Sequence, residues 1–257
     1  MIARTSAGSW LVTPRPNPKA RLRLLCFPYG GGSASVFRAW PDGLPQDLEV
    51  CAVQLPGREN RYGDRPYTDV WALVETLVEA LAPLFDEPFA IFGHSLGAFI
   101  GFELACALRN QNVQGPVHLY VSGQRAPQIP DPLPPVYQLD DARFLDEICR
   151  RYDAIPMSVR QSEEMLRVVL PMLRADFTMN DTYTCINDQP LNCPITCFGG
   201  EQDSETTRGD LAAWADQTDD SFILKMFSGG HFFIQSERES FLRAFSEDLR
   251  VYVSACA

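Results

Sequence analysis

Residues Phe89-Ala-Ile-Phe-Gly-His-Ser-Leu-Gly-Ala98 combine an apolar run, a serine between two glycines and a second apolar run. A serine hydroxyl is a useful nucleophile only when it is held exposed and a base takes its proton. The spacing Gly93-His-Ser95-Leu-Gly97 meets the first condition. It is the pattern of a nucleophile elbow, where the serine tops a tight turn and glycines let strand and helix pass closely. The five residues alone are a weak signal, because glycine and serine are common and a surface loop can match them. The flanks add weight: Phe89–Phe92 reads as a buried strand, and Ile100, Phe102, Leu104, Ala105 and Leu108 continue a helix. At that helix's N-terminus the N–H of Leu96 has no intrahelical acceptor and is free to stabilise a developing oxyanion.

The chain has three histidines, so the search for a base is short. His94 abuts the serine but points away from it in an elbow, and a structural role is expected. His118 falls among Val117, Leu119 and Val121, as a packed strand histidine. His231 ends Ser228-Gly-Gly-His231 after the last expected strand, where an imidazole can reach over the carboxyl edge of a sheet. His231 is the expected base. In elbow-type sites the acid lies between serine and histidine in chain order. Asp203, directly after the expected strand 195–198, fits; Asp210 falls in an expected helix, and Glu201 and Glu205 read as solvated neighbours. A second oxyanion donor is expected in Pro28-Tyr-Gly-Gly-Gly-Ser33, at the N–H of Gly30, although a flexible turn is the plainer reading of such a run. It has neither the P-loop ending nor the spaced G-x-G-x-x-G of a phosphate cradle.

These residues need a scaffold, and the hydrophobic pattern supplies one. Short apolar runs at Leu22–Phe27, Val50–Leu55, Phe89–Phe92, Val117–Ser122, Pro194–Phe198 and Phe222–Phe227 read as strands. Between them lie helical patterns: Val36, Phe37 and Trp40; Val70, Leu73, Val74, Leu77, Val78 and Leu81 after Asp69; and Phe241, Phe245, Leu249 and Tyr252. Alternation of this kind predicts an α/β fold with a mostly parallel central sheet flanked by helices. The rhythm breaks over about 127–185. Prolines are dense at first; a helix is then expected near Asp140 with Phe144, Leu145 and Ile148 inward, and another from Ser158 with Gln161 in capping-box spacing. Pro171 is expected to kink or split the latter. An insertion there has the shape of a helical lid, or of two plain packing helices. Met165, Leu166, Val169 and Met172 line an acyl channel on the first reading and fill a core on the second.

The length of 257 residues fits one domain, 1–257. A net charge of −11 argues against nucleic acid and anionic membranes as partners. The first 19 residues carry Pro14, Pro16 and Pro18 without an apolar core, so no signal peptide is expected, and no run is long enough to span a bilayer. Eight scattered cysteines, Cys26, Cys51 and Cys106 within apolar runs, read as reduced cytoplasmic thiols. No metal-ligand spacing appears, and no metal or bound cofactor is expected. Arg58, Arg61 and Arg125 stand as candidates for the mouth of the site.

Six segments occur in one order: Cys26-Phe-Pro-Tyr-Gly-Gly-Gly-Ser33, Gln54-Leu-Pro-Gly-Arg-Glu59, Phe92-Gly-His-Ser-Leu-Gly97, Arg174-Ala-Asp176, Gly199-Gly-Glu-Gln-Asp203 and Gly229-Gly-His-Phe232. Together they resemble the stand-alone type II thioesterases of polyketide synthase and nonribosomal peptide synthetase pathways, which are relatives of the mammalian medium-chain fatty-acid thioesterase. One departure is Pro28-Tyr-Gly-Gly, where many members carry alanine as the third residue. The resemblance implies an α/β-hydrolase fold with a helical lid. It also implies hydrolysis of acyl groups from the phosphopantetheine arm of acyl or peptidyl carrier proteins, the chain itself using no cofactor. The residue spacing supports only acyl transfer by a serine, and so leaves open a carboxylesterase, an acyltransferase or cyclase, and a binding protein on an inactive scaffold.

Overall fold

The computed structural model describes residues 9–152, 155, 157–186 and 189–255. Among these, seven strands form one sheet: β1 (Leu11–Val12), β2 (Leu22–Phe27), β3 (Leu48–Val53), β4 (Phe89–His94), β5 (Leu119–Ser122), β6 (Ile195–Gly200) and β7 (Phe222–Phe227). Their order across the sheet is β1-β3-β2-β4-β5-β6-β7. The edge strand β1 is antiparallel to β3, and every other pairing is parallel. Successive side chains of a strand face opposite ways. Phe89 and Ile91 accordingly enter one core with Leu73, Phe99, Phe102 and Trp214, while Ala90 and Phe92 enter a second with Phe37, Trp40, Phe198 and Phe245. This double burial is why β4 reads as an unbroken apolar run rather than an alternating one.

The helices are α1 (Val70–Leu81), α2 (Leu96–Asn110), α3 (Asp141–Tyr152), α4 (Met157–Arg160), α5 (Glu163–Thr182), α6 (Arg208–Ala212), α7 (Phe233–Ser236) and α8 (Arg238–Ala255). Asp69 caps α1 by accepting the N–H of Ala72 at 2.7 Å. The helix expected through Val36 and Trp40 is instead two short 3-10 helices, Ala34–Phe37 and Trp40–Asp42. Pro41 has no N–H to donate into a continuing helix. The strand expected at Val50–Leu55 runs two residues earlier, at Leu48–Val53, and Gln54 N–H extends its pairing with β1 by bonding Trp10 O at 2.8 Å.

Helices α3 to α5 enter between β5 and β6, within the 127–185 span, of which residues 153, 154 and 156 lie outside the described residues. Phe144, Ile148, Met172, Leu173 and Phe177 give this insertion a core of its own. Ser158 is not a cap; it lies inside α4, and Ser162 caps α5 by accepting the N–H of Met165 at 3.3 Å. Pro171 sits inside α5 without ending it. The burial of Met172, Leu173 and Phe177 beyond it outweighs one missing backbone bond.

Candidate active site

Backbone crowding builds the serine corner. A Cβ on Gly93 would lie 2.1 Å from the carbonyl oxygen of Gly97, and one on Gly97 would lie 2.3 Å from that of Phe27. Ser95, between them, has φ 53° and ψ −123°, a conformation that costs a side-chain-bearing residue about 1–3 kcal/mol. Its N–H donates to Ser122 O at the end of β5, and its C=O accepts from Ala98 N–H, both at 2.8 Å. His94 is buried, with Nδ1 2.9 Å from Ser122 Oγ. Burial holds its imidazole well below the ordinary histidine range, so it stays neutral. Its ring packs 5.1 Å from that of His231.

His231 follows β7 and is 8% exposed. Its Nδ1 lies 2.9 Å from Asp203 Oδ2, on the loop after β6. With Nδ1–H donated to the carboxylate, Nε2 is the acceptor nitrogen, the tautomer a base requires. Asp203 is held on both oxygens: Oδ1 accepts the N–H of Glu205 at 2.9 Å, and Oδ2 accepts the hydroxyl of Thr206 at 2.8 Å. Burial pushes this carboxyl upward, but the bond and charge of His231 together with those two donors bring it below its ordinary value. The aspartate is therefore an anion at neutral pH. Asp210 is occupied elsewhere, in a capping box with Thr207 at the start of α6. Glu205 is not a freely solvated neighbour as expected; it is half-buried, and burial raises its carboxyl.

Ser95, Leu96, Gly30 and His231 all line one cavity of about 190 Å³, with Asp203 behind the imidazole. The wall from the insertion is mostly apolar, with Ile148 and Tyr152 of α3, Val159 of α4, and Val169, Leu173 and Phe177 of α5, and it also carries Asp176 and Asn180. Of the four channel candidates, only Val169 lines this cavity; Met165 is 46% exposed, and Met172 packs in the insertion's core. Helical spacing identifies one face but not which part of it meets a partner. The three arginines are not open mouth residues. Arg58 is buried against Asp176, Arg61 pairs with Asp64, and Arg125 pairs with Asp131. Asp176 is the site residue that spacing missed. Its one signal was membership in the Arg174-Ala-Asp176 segment, which carries no pattern of its own.

A mostly parallel sheet with a serine elbow at the head of α2, lining one cavity with a histidine that an aspartate holds, defines an α/β-hydrolase fold with a serine-centred site. The chain belongs to the thioesterase domain family, whose model matches residues 22–249, and it is a hydrolase acting on thioesters. The gramicidin S biosynthesis protein GrsT of Aneurinibacillus migulanus is 42% identical over 250 residues, covering 97% of both chains. Thioesterase PikA5 of Streptomyces venezuelae is 38% identical over 95% of this chain and 87% of its own. The solved structure of the type II thioesterase BorB from the borrelidin biosynthetic cluster superposes with a TM-score of 0.82 at 32% identity, covering 94% of this chain and 97% of that one. Among the described residues, no helix is long and apolar enough to cross a membrane, and no cluster of three or more His, Cys, Asp or Glu could hold a metal ion.

Proposed function

We propose that this chain is a type II thioesterase that removes acyl groups from the phosphopantetheine arm of acyl or peptidyl carrier proteins, clearing stalled or mis-primed chains from a cytoplasmic synthase. The observation that carries the reading is the Asp203–His231 bond of 2.9 Å at the cavity that Ser95 also lines. In this mechanism His231 Nε2 takes the proton of Ser95 Oγ as that oxygen attacks the thioester carbonyl. The N–H groups of Leu96 and Gly30 hold the oxyanion, each worth about 3 kcal/mol of barrier. The intermediate collapses, the C–S bond breaks, and the pantetheine sulfur leaves with the proton from His231. Water then gives a proton to Nε2 and attacks the acyl-Ser95 ester, releasing a carboxylic acid and the serine. Asp203 holds the imidazole's tautomer and offsets its positive charge in both halves. The apolar wall from α3 to α5 receives the acyl chain, which gives the insertion the role of a lid, and the chain needs no cofactor of its own.

The test is hydrolysis of an acyl-loaded carrier protein by the wild type and by Ser95→Ala, followed by mass spectrometry of both proteins. Free carboxylic acid and a transient acyl adduct on Ser95, both absent from a folded Ser95→Ala, are expected. Turnover by that variant at the wild-type rate would remove Ser95 from the mechanism. Formation of an ester or amide in place of the acid would make the enzyme an acyltransferase.

A further inference from the structure

We propose that Asp176 and Arg58 are positioning residues for the oxyanion loop, a buried ion pair that locks α5 to the backbone around Gly30. The inference rests on the reading of Gly30 N–H as an oxyanion donor.

Three consecutive glycines have more backbone freedom than any other tripeptide, so the loop's own residues do not select its conformation. Part of the selection is local. Tyr29 O accepts Gly32 N–H at 2.8 Å, and Gly31 has φ +82°, the form of a type II turn with glycine at its third position. The rest comes from outside. Gly31 N–H donates to Asp176 Oδ2 at 2.7 Å, and Gly32 O accepts from Arg58 Nη1 at 2.8 Å. The two side chains then grip each other in a fork, Nη1 to Oδ2 at 2.8 Å and Nη2 to Oδ1 at 2.7 Å. Arg58 is itself anchored, with Nε donating to Pro56 O at 3.2 Å and its carbonyl accepting from Gln54 Nε2 at 3.1 Å. Gln54 Oε1 in turn accepts Ala34 N–H at 2.9 Å, just past the glycines. Gly30 is left between the fixed end of β2 and a peptide pinned on both sides.

Sterics point the same way. A Cβ on Gly31 would meet Leu173 Cδ2 at 2.6 Å, and one on Gly30 would stand 3.7 Å from Asp176 Cβ, so the loop lies flat on α5. The same helix walls the cavity through Leu173 and Phe177, three residues before and one after Asp176. The surface that receives the acyl chain and the amide that receives the oxyanion therefore move as one body. Stability alone gives little reason for the pair, since the two side chains are 4% and 0% exposed and apolar replacements of similar volume hold such a site equally well. What an apolar pair cannot do is bond Gly31 N–H and Gly32 O.

The experiment compares wild type with the double variant Arg58→Met/Asp176→Leu, measuring kcat and KM on an acyl N-acetylcysteamine thioester. Binding is measured for an alkyl trifluoromethyl ketone, which adds to serine as an oxyanion, and for the matching alkyl carboxylic acid. A thermal melt checks folding. The expected result is a fall in kcat of roughly ten- to a hundredfold with KM within about twofold. Ketone affinity falls by a similar factor, while acid affinity and the pH profile of kcat/KM stay as in the wild type. Where the double variant does not fold, Arg58→Lys carries the test, because it keeps the charge but loses the fork. Wild-type kcat in a folded variant overturns the proposal. So does ketone affinity that is unchanged, or that falls together with acid affinity. Ser95→Ala run in parallel separates the two readings: if it is inactive while the ion-pair variants are normal, only the positioning role fails.

Discussion

The two walls of the cavity are built on different principles. The sheet-side wall, with Ser95, Leu96 and His231, stands on backbone approaches so close that Gly93 and Gly97 admit no side chain. The helix-side wall is made of side chains, and Ile148, Leu173 and Phe177 belong to a small core separate from the two that cover the sheet. Backbone geometry places the serine, and in the proposed mechanism the developing charge, and it tolerates almost no change. Side-chain packing fixes what fits, and it can be altered in steps. The difference teaches that chemistry and selectivity in this molecule are separable, except at Asp176, where the helix-side wall takes hold of the sheet-side loop.

If the walls are separable, substitutions on each should fail in different ways. The largest effect is expected from Asp203→Asn, which leaves His231 in the wrong tautomer: kcat should drop about ten-thousandfold with the melting temperature close to wild type. A drop below tenfold would mean that another group orients the imidazole. Next comes Gly97→Ala, whose new methyl meets the backbone at Phe27. It should cost about 3 kcal/mol in urea unfolding and lower kcat with it, and a stable, active variant would show that the corner yields more than its contacts allow. Phe177→Leu tests the opposite wall. It should leave kcat on the preferred acyl group within a few-fold but change the ratio of kcat/KM between longer and shorter acyl thioesters roughly tenfold. A uniform loss on all substrates would break the separation.

The smallest effect belongs to neither wall and serves as a control. His118 is buried beside β5, with Nε2 2.9 Å from Thr196 Oγ1, and burial lowers its pKa from 6.5 to about 3. The unfolded chain takes up a proton in that window and the folded chain does not. Stability is therefore full above about 6.5 and is lost as pH falls towards 3, by about 1.4 kcal/mol per unit. Urea unfolding of His118→Gln at pH 7 and pH 5 should show the loss reduced by that amount, the share of the equally buried His94 remaining, with kcat at pH 7 unchanged.

Legibility followed the range of the interactions. The β2 and β7 boundaries, the elbow and the start of α1 are readable because period and glycine spacing act within a few residues. The cap of α5 lies four residues beyond Ser158, at Ser162; the two serines offer the same hydroxyl, so the local sequence does not choose between them. The two-residue strand β1 was invisible, because its pairing with β3 lies about 40 residues away.

By itself the sequence determined the alternation of strands and helices and the serine corner, along with the chain order in which serine, acid and histidine come. These follow from local sterics and from the periodicity of apolar residues. Only the tertiary structure decided that Asp203 grips His231, which face of α5 meets the cavity, and that Asp176, 145 positions from Gly31, holds the glycine loop. Those contacts exist because the folded sheet brings distant loops to one edge, and a hydrogen bond between distant residues leaves no periodic mark on the chain that makes it.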